Sequence, residues 1–279
     1  MAGLAVFFGL GALGWYDVGF VLRELPSGVG PAAISVEITS LAFALGFGLA
    51  LPLAMLRAFP PGRRPTSPGS SGSNAGERSE GRLGRLGRRI AYGFATGYVA
   101  TIRGTPFLVQ VFLVYYAVIF AAPRFVLLGL TVPFWAGLLA LTINTTGYQA
   151  EAMRGGFQSV DAAQIEAARA LGLTRFQTFR RITFPQGIRL VTLPLTNEWI
   201  STFKTSAILS YISFVELFFW SRTDVAYQLG HPVEAFVLIV IFYLVINVVL
   251  SRSVSYLEER YRIPGLGTRG PTGTGRAAG

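Results

Sequence analysis

Residues 32–57 and 233–254 each carry only two charged side chains, and both exceed the ~20 positions needed to cross the ~30 Å hydrocarbon core of a bilayer. Lipid offers no hydrogen bonds, so a run of this kind must pair its backbone N–H and C=O groups internally and folds as a helix. Three further stretches read the same way. Residues 86–121 form one helical stretch interrupted by a bend near Gly104 and Pro106, and 133–154 and 190–212 complete a set of five. The expected fold is therefore an all-α integral membrane protein with about five transmembrane helices. Residues 1–31 precede the first span, whose domain runs over 32–58, as an interfacial segment in which WYDVGFVLRELPSGVG mixes aromatics with charges. Residues 1–14 are apolar without a basic start or an Ala-x-Ala site, so no cleaved signal peptide is expected.

Charge placement decides what the basic balance means. The chain has a net charge of +10, which raises the question of nucleic acid. Arg57, Arg63, Arg64, Arg78, Arg82, Arg85, Arg88 and Arg89 fall in one connection, however. Arg154, Arg169, Arg175, Arg180, Arg181 and Arg189 fall around another, and Arg252, Arg260, Arg262, Arg269 and Arg276 in the tail. Only Arg23, Arg124 and Arg222 lie in the intervening connections. This is the positive-inside pattern and not nucleic-acid binding; it puts the N-terminus outside and the C-terminus in the cytoplasm. Only 14% of residues are charged, against about 25% in soluble domains. Residues 59–85 are rich in Pro, Gly, Ser and Arg and read as a disordered cytoplasmic linker, and 256–279 as a cytoplasmic tail disordered at its end. The core of the chain is expected over 86–255.

Within that core, residues 159–189 are polar yet patterned. Ser159 is expected to cap a short helix with Asp161 in its first turn, and Val160, Ala163, Ala167 and Leu171 recur at helical spacing. Gly172 supplies a left-handed stop. Thr174 and Gln177 fit a capping box for a second helix with Phe176, Phe179 and Ile182 on its apolar edge, stopped by Pro185. Two short helices broken at Gly172 suit a docking element; the plainer alternative is a solvated cytoplasmic loop.

These residues carry a resemblance. Glu166-Ala167-Ala168, then Gly172, then Ile182-x-x-Pro185 resembles the EAA loop of the membrane subunits of bacterial ABC importers. Arg103-Gly104-Thr105-Pro106, GYQAEAMRGGFQSV, PLTN and Lys204-Thr205-Ser206-Ala207 resemble the polar amino-acid (His/Gln/Arg-type) permease branch, over roughly residues 15 to 260. Phe184, Ala163 and Gly147 depart slightly from the pattern. The resemblance implies a type I-like permease of the bacterial inner membrane, paired with a second permease subunit, identical or related. It implies two separate ATPase subunits that receive the segment from Gln164 to Gly172, with Gln164, Glu166, Ala167, Ala168 and Gly172 as coupling residues, and an extracytoplasmic solute-binding protein. ATP and Mg²⁺ would belong to the partner ATPase, with no cofactor in this chain.

The residues agree on what is missing. The only lysine, Lys204, follows Thr202 and Phe203 in an apolar helix and not a glycine-rich phosphate loop, so this chain is not expected to be the ATPase or an enzyme. There is no cysteine, and the sole histidine, His231, reads as a surface residue, so no metal site is expected. Ionisable groups inside spans cost roughly 2.5–3.5 kcal/mol each. The candidates are Glu37, Arg103, Glu151, Glu198 and Lys204. Asn144, Tyr148 and Glu151 share one helix face, and Glu151 has Arg154 three residues on as a structural partner. Glu198 follows Asn197, with Ser201 and Thr202 one turn on; it suits a substrate ammonium or, equally, an ion pair with a neighbouring span. The candidate solute path is Asn197, Glu198, Ser201, Lys204 and Asn144. The rival reading is a proton-coupled secondary transporter using Glu37, Glu151 and Glu198, against which the patterned docking loop and the lack of inverted repeats argue.

Overall fold

The computed structural model describes residue 9 and residues 14–60, 82–121 and 131–260, and every regular element among them is helical. In chain order they are α1 (Val18–Glu24), α2 (Val29–Ala58), α3 (Arg82–Gly104), α4 (Phe107–Ala121), α5 (Val132–Gln158), α6 (Ala162–Ala170), α7 (Arg175–Thr178), α8 (Phe184–Thr205), α9 (Leu217–Trp220) and α10 (Pro232–Arg260). A π-helical turn, Phe179–Thr183, joins α7 to α8. A 3₁₀ segment, Ser206–Ile212, continues α8, and a second π segment, Ser221–Gln228, follows α9. The expected linker and tail fall mostly on 61–81 and 261–279, outside the described residues.

α5 is the centre of the bundle. It packs against α2, α3, α4 and α8, and half of its 27 residues are buried. On its α2 side, Ala42, Gly46, Ala50 and Ala54 recur every four residues and are all buried, which lets the two backbones approach closely. One buried cluster joins Ile38 and Ala42 of α2 to Leu138 and Leu141 of α5 and to Leu209 and Ile212 of the 3₁₀ segment. A second gathers Ala50, Ala54, Val99, Met153, Phe157, Phe179 and Val191. A third ties Tyr16 and Val21 to Leu217, Trp220 and Leu238.

Two expectations change. Among the described residues, α2 and the Pro232–Ser253 part of α10 are long and apolar enough to cross a membrane. The α3–α4 pair qualifies only when taken together, and it bends by 111° at Gly104–Pro106. The expected single bent span is thus a sharp change of direction. The count of five is not reached by apolarity alone, because α5 buries Thr142, Thr145, Thr146 and Gln149 inside the bundle, and α8 carries Arg189, Glu198 and Lys204. A helix whose sides face protein need not be as apolar as one facing lipid.

Candidate functional site: a docking helix joined to a polar helix strip

The loop predicted to dock a partner folds as two short helices with its caps shifted. Ser159 does not start α6: its N–H and hydroxyl bond back to Gly155 O, so it ends α5. Asp161 is the true cap, its carboxylate accepting from Ala163 N at 2.9 Å. That position places the charge at the positive end of the helix dipole. Gly172 is left-handed as expected, with φ +81°. The Leu173 N–H donates to Ala168 O, which closes the turn. Both halves of the capping box are formed, Gln177 N to Thr174 Oγ1 and Thr174 N to Gln177 Oε1.

Pro185 does not stop the second helix. The π turn at Phe179–Thr183 resets the hydrogen-bond register, so Pro185 falls in the first turn of α8, where no N–H is required, and the chain runs on to Thr205. α7 and α8 are therefore one continuous helical rod, and α6, set off by the Gly172 turn, is tied to it where Gln186 Nε2 donates to Gln164 Oε1 at 2.7 Å. Beneath it Phe157 and Phe179 meet edge to face at 5.2 Å, flanked by Phe59 and Phe184. α5 and α8 touch through glycines here: a Cβ on Gly156 would lie 2.1 Å from Val191 Cγ1, and one on Gly187 2.5 Å from Phe157 Cδ1.

α6 turns Ala168 into the protein and leaves Gln164, Glu166 and Ala167 exposed, with Leu171 82% exposed beyond them. An apolar residue this bare at a helix end, beside a carboxylate and small side chains, presents a face suited to another protein.

The proposed path residues separate into two groups. Asn197, Ser201 and Lys204 are all exposed and share one strip of α8, while Glu198 is half-buried beside them. Thr202 Oγ1 donates to Glu198 O at 2.9 Å and lies 3.3 Å from Glu198 Oε1. Among the described residues Glu198 makes no ion pair. Asn144 is engaged elsewhere. Its amide donates to Gln110 Oε1 at 2.9 Å, and Gln110 Nε2 in turn bonds Ile102 O and both Thr105 oxygens, which holds the 111° bend.

Glu151 makes the Arg154 pair expected of it and two more. Its carboxylate sits 2.6 Å from Arg57 Nη1, 2.5 Å from Arg154 Nη2 and 3.7 Å from Arg103 Nη1. It thereby joins the ends of α2 and α3 to α5. Arg103 also lies over the Tyr148 ring at 5.6 Å and close enough to Glu198 to act on it electrostatically. Arg103, Tyr148, Glu151, Arg154, Leu190 and Pro194 line a cavity of about 530 Å³ against α8. Glu37, by contrast, is exposed on α2. His231 stacks on Phe20 at 3.8 Å and lies 3.4 Å from Glu234, a local contact at the start of α10. Among the described residues no three His, Cys, Asp or Glu side chains gather as a metal site would require.

Sequence reading missed Gln186 and Gln110, whose partners lie far off or across a bend, and Glu216. Glu216 is fully buried between α2 and α9, where its carboxylate accepts from Phe218 N, Phe219 N and Ser35 Oγ. The only available signal was an acid just before LFFW, a helix-cap spacing. Burial pushes its carboxyl up to about 6, against the pull of those three donors.

Comparison with known proteins places this geometry. The chain is 32% identical to the nopaline transport system permease protein NocM of Agrobacterium fabrum, over 87% of this chain and 90% of that one. It is 34% identical to the glutamine transport system permease protein GlnP of Escherichia coli, over 62% of this chain and 77% of that one. A crystal structure of an amino acid ABC transporter with histidines superposes at a TM-score of 0.69 with 28% identity, covering 88% of this chain and 98% of that one. The MetNI methionine ABC transporter in an inward-facing form shares the fold at a TM-score of 0.60 and 18% identity, covering 85% of this chain and 97% of that one. Residues 82–263, which hold the bend, Glu151 with Arg103 and Arg154, the docking helix and the α8 strip, match the binding-protein-dependent transport system inner membrane component family. The chain belongs to that family and is the permease subunit of an ABC importer, not a proton-coupled secondary transporter.

Proposed function

We propose that this subunit passes polar amino acids or similar small zwitterions across the bacterial inner membrane, with its N-terminus outside and its C-terminus in the cytoplasm. One observation carries the reading: a span-length helix exposes Asn197, Ser201 and Lys204 on one strip with Glu198 beside it. Such groups are costly against lipid, so the strip faces a second permease subunit across a solute path. The relatives' nopaline and glutamine transport systems support the solute class. Glu198 takes the solute ammonium, and the exposed guanidinium of Arg103 stands close enough to balance the charge.

ATP is hydrolysed in two partner ATPases, and the solute arrives from an extracytoplasmic binding protein; this chain contributes no catalytic group and no cofactor. The ATPases hold α6 through Gln164, Glu166, Ala167 and the Gly172 turn, while Ala168, expected among the contacts, packs inward and seats the helix on its own chain. The π turn makes α7 and α8 one rod and the Gln164–Gln186 bond ties α6 to it, so displacing the docked helix displaces the polar strip with it. Closure of the ATPases then shifts the population from one packed arrangement of the subunits to the other.

Glu198→Gln tests the path. Uptake of the native solute should fall at least tenfold, with the assembled complex and its basal ATPase activity unchanged. Unaltered uptake kinetics would remove Glu198 from the path.

A further inference from the structure

The first turns of α3 have no use in the function derived above. Leu83, Leu86, Ile90 and Phe94 recur at helical spacing and are 86%, 55%, 64% and 70% exposed. Arg82, Arg85 and Arg89 are exposed along the adjoining face. The buried residues of α3, Ala95, Val99 and Ile102, all lie in its second half. No acidic residue occurs anywhere in the helix. Arginines at a helix N-terminus oppose the dipole, so this end of α3 is electrostatically incomplete without an anion beside it. An apolar row flanked by a basic one, continuous with a bilayer-crossing segment, matches a helix lying at a charged membrane surface. A second copy of the same face would bring arginines against arginines, and the ATPase face is already supplied by α6.

We infer that Arg82–Phe94 is an anionic-phospholipid site: the Leu83, Leu86, Ile90 and Phe94 row enters the acyl boundary, and Arg82, Arg85 and Arg89 bond lipid phosphates. The planar guanidinium fork suits a phosphate better than an ammonium does. The same helix ends at Arg103, 3.7 Å from Glu151 and acting on the charge of Glu198, so its seating in the headgroup layer sets the position of the cation beside the path. Anionic lipid thereby tunes transport from the cytoplasmic leaflet.

The test uses the assembled importer in vesicles of phosphatidylcholine alone and of phosphatidylcholine with phosphatidylglycerol. Native mass spectrometry reads retained phosphatidylglycerol, and uptake is followed against ionic strength. Each arginine near an anionic surface favours contact by about fivefold. The wild type should retain phosphatidylglycerol and transport several-fold faster in the mixed vesicles, and lose that gain at high salt. The R82Q/R85Q/R89Q variant should lose both effects, and R82K/R85K/R89K should keep most of them. Wild-type uptake and lipid retention indifferent to phosphatidylglycerol would overturn the site. So would loss of the partner subunits by the glutamine variant in both vesicle types, which would make this face a protein contact.

Discussion

Two short capped helices, α6 and α9, are built by the same rule to opposite ends. Asp161 caps α6 from an exposed position, and beyond it Leu171 is 82% exposed. Glu216 caps α9 while fully buried, and Leu217 and Trp220 behind it are 0% and 6% exposed. The second is finished by its own chain, through Ser35 of α2 and the Tyr16–Leu238 cluster. The first is not. A capped helix that keeps its apolar residues bare is stable enough to form and incomplete enough to need a partner, which is the physical content of a docking element.

Two glycines on either side of α6 sharpen this difference. Gly156 sits where α5 and α8 meet, and Gly172 sits in open space, so adding a side chain has different consequences at each. At Gly156 a Cβ would lie 2.1 Å from Val191 Cγ1 and 3.0 Å from Gly187 O. Gly156→Val therefore forces backbone apart at a cost of about 1–3 kcal/mol or more. The expected outcome is the largest of the set, loss of folded subunit from the membrane, read by the amount extracted as a monodisperse complex. Normal yield would mean that α5 and α8 separate more easily than their contact implies.

At Gly172 nothing lies within 4 Å of an added Cβ, and only φ +81° resists substitution. A left-handed non-glycine residue costs about 1–2 kcal/mol, and a β-branched one more. Gly172→Val should leave membrane insertion unchanged and lower solute-stimulated ATPase activity and uptake about tenfold, because α6 no longer meets its partner at the right angle. Normal coupling would show that the turn is not the hinge.

Legibility follows the same division. The capping box, the Gly172 turn and the two long apolar helices could be read because each depends on residues within a few positions of one another, where spacing alone carries the geometry. Asp161 replaced Ser159 by only two positions. The Glu151 cluster was read at its local half, Arg154, and missed at Arg57, which lies 94 residues away along the chain. Pro185 misled because a stop signal assumes an α register, and the π turn had already changed it. Gln110 and Glu216 act on partners that only the folded bundle brings near.

The smallest expected effect lies at the finished helix and comes from proton binding. Burial raises the Glu216 carboxyl from 4.5 to about 6, against the donors from Phe218, Phe219 and Ser35. Since the folded pKa lies above the unfolded one, the folded state holds the proton more tightly. The contribution is therefore complete below pH 4.5 and fades as pH rises through about 6. A shift of this size is worth on the order of 2 kcal/mol at most. Thermal unfolding of the purified complex should give a wild-type Tm a few degrees higher at pH 5 than at pH 7. Glu216→Gln, which cannot titrate, should flatten that slope. Because the group joins α2 to α9 and not to the docking rod, uptake per folded complex should be the same for both proteins at pH 7. An equal slope in the two would show that the three donors and the Arg222 charge hold Glu216 ionised across the whole window. The finished helix would then be sealed by a buried anion and not by a proton.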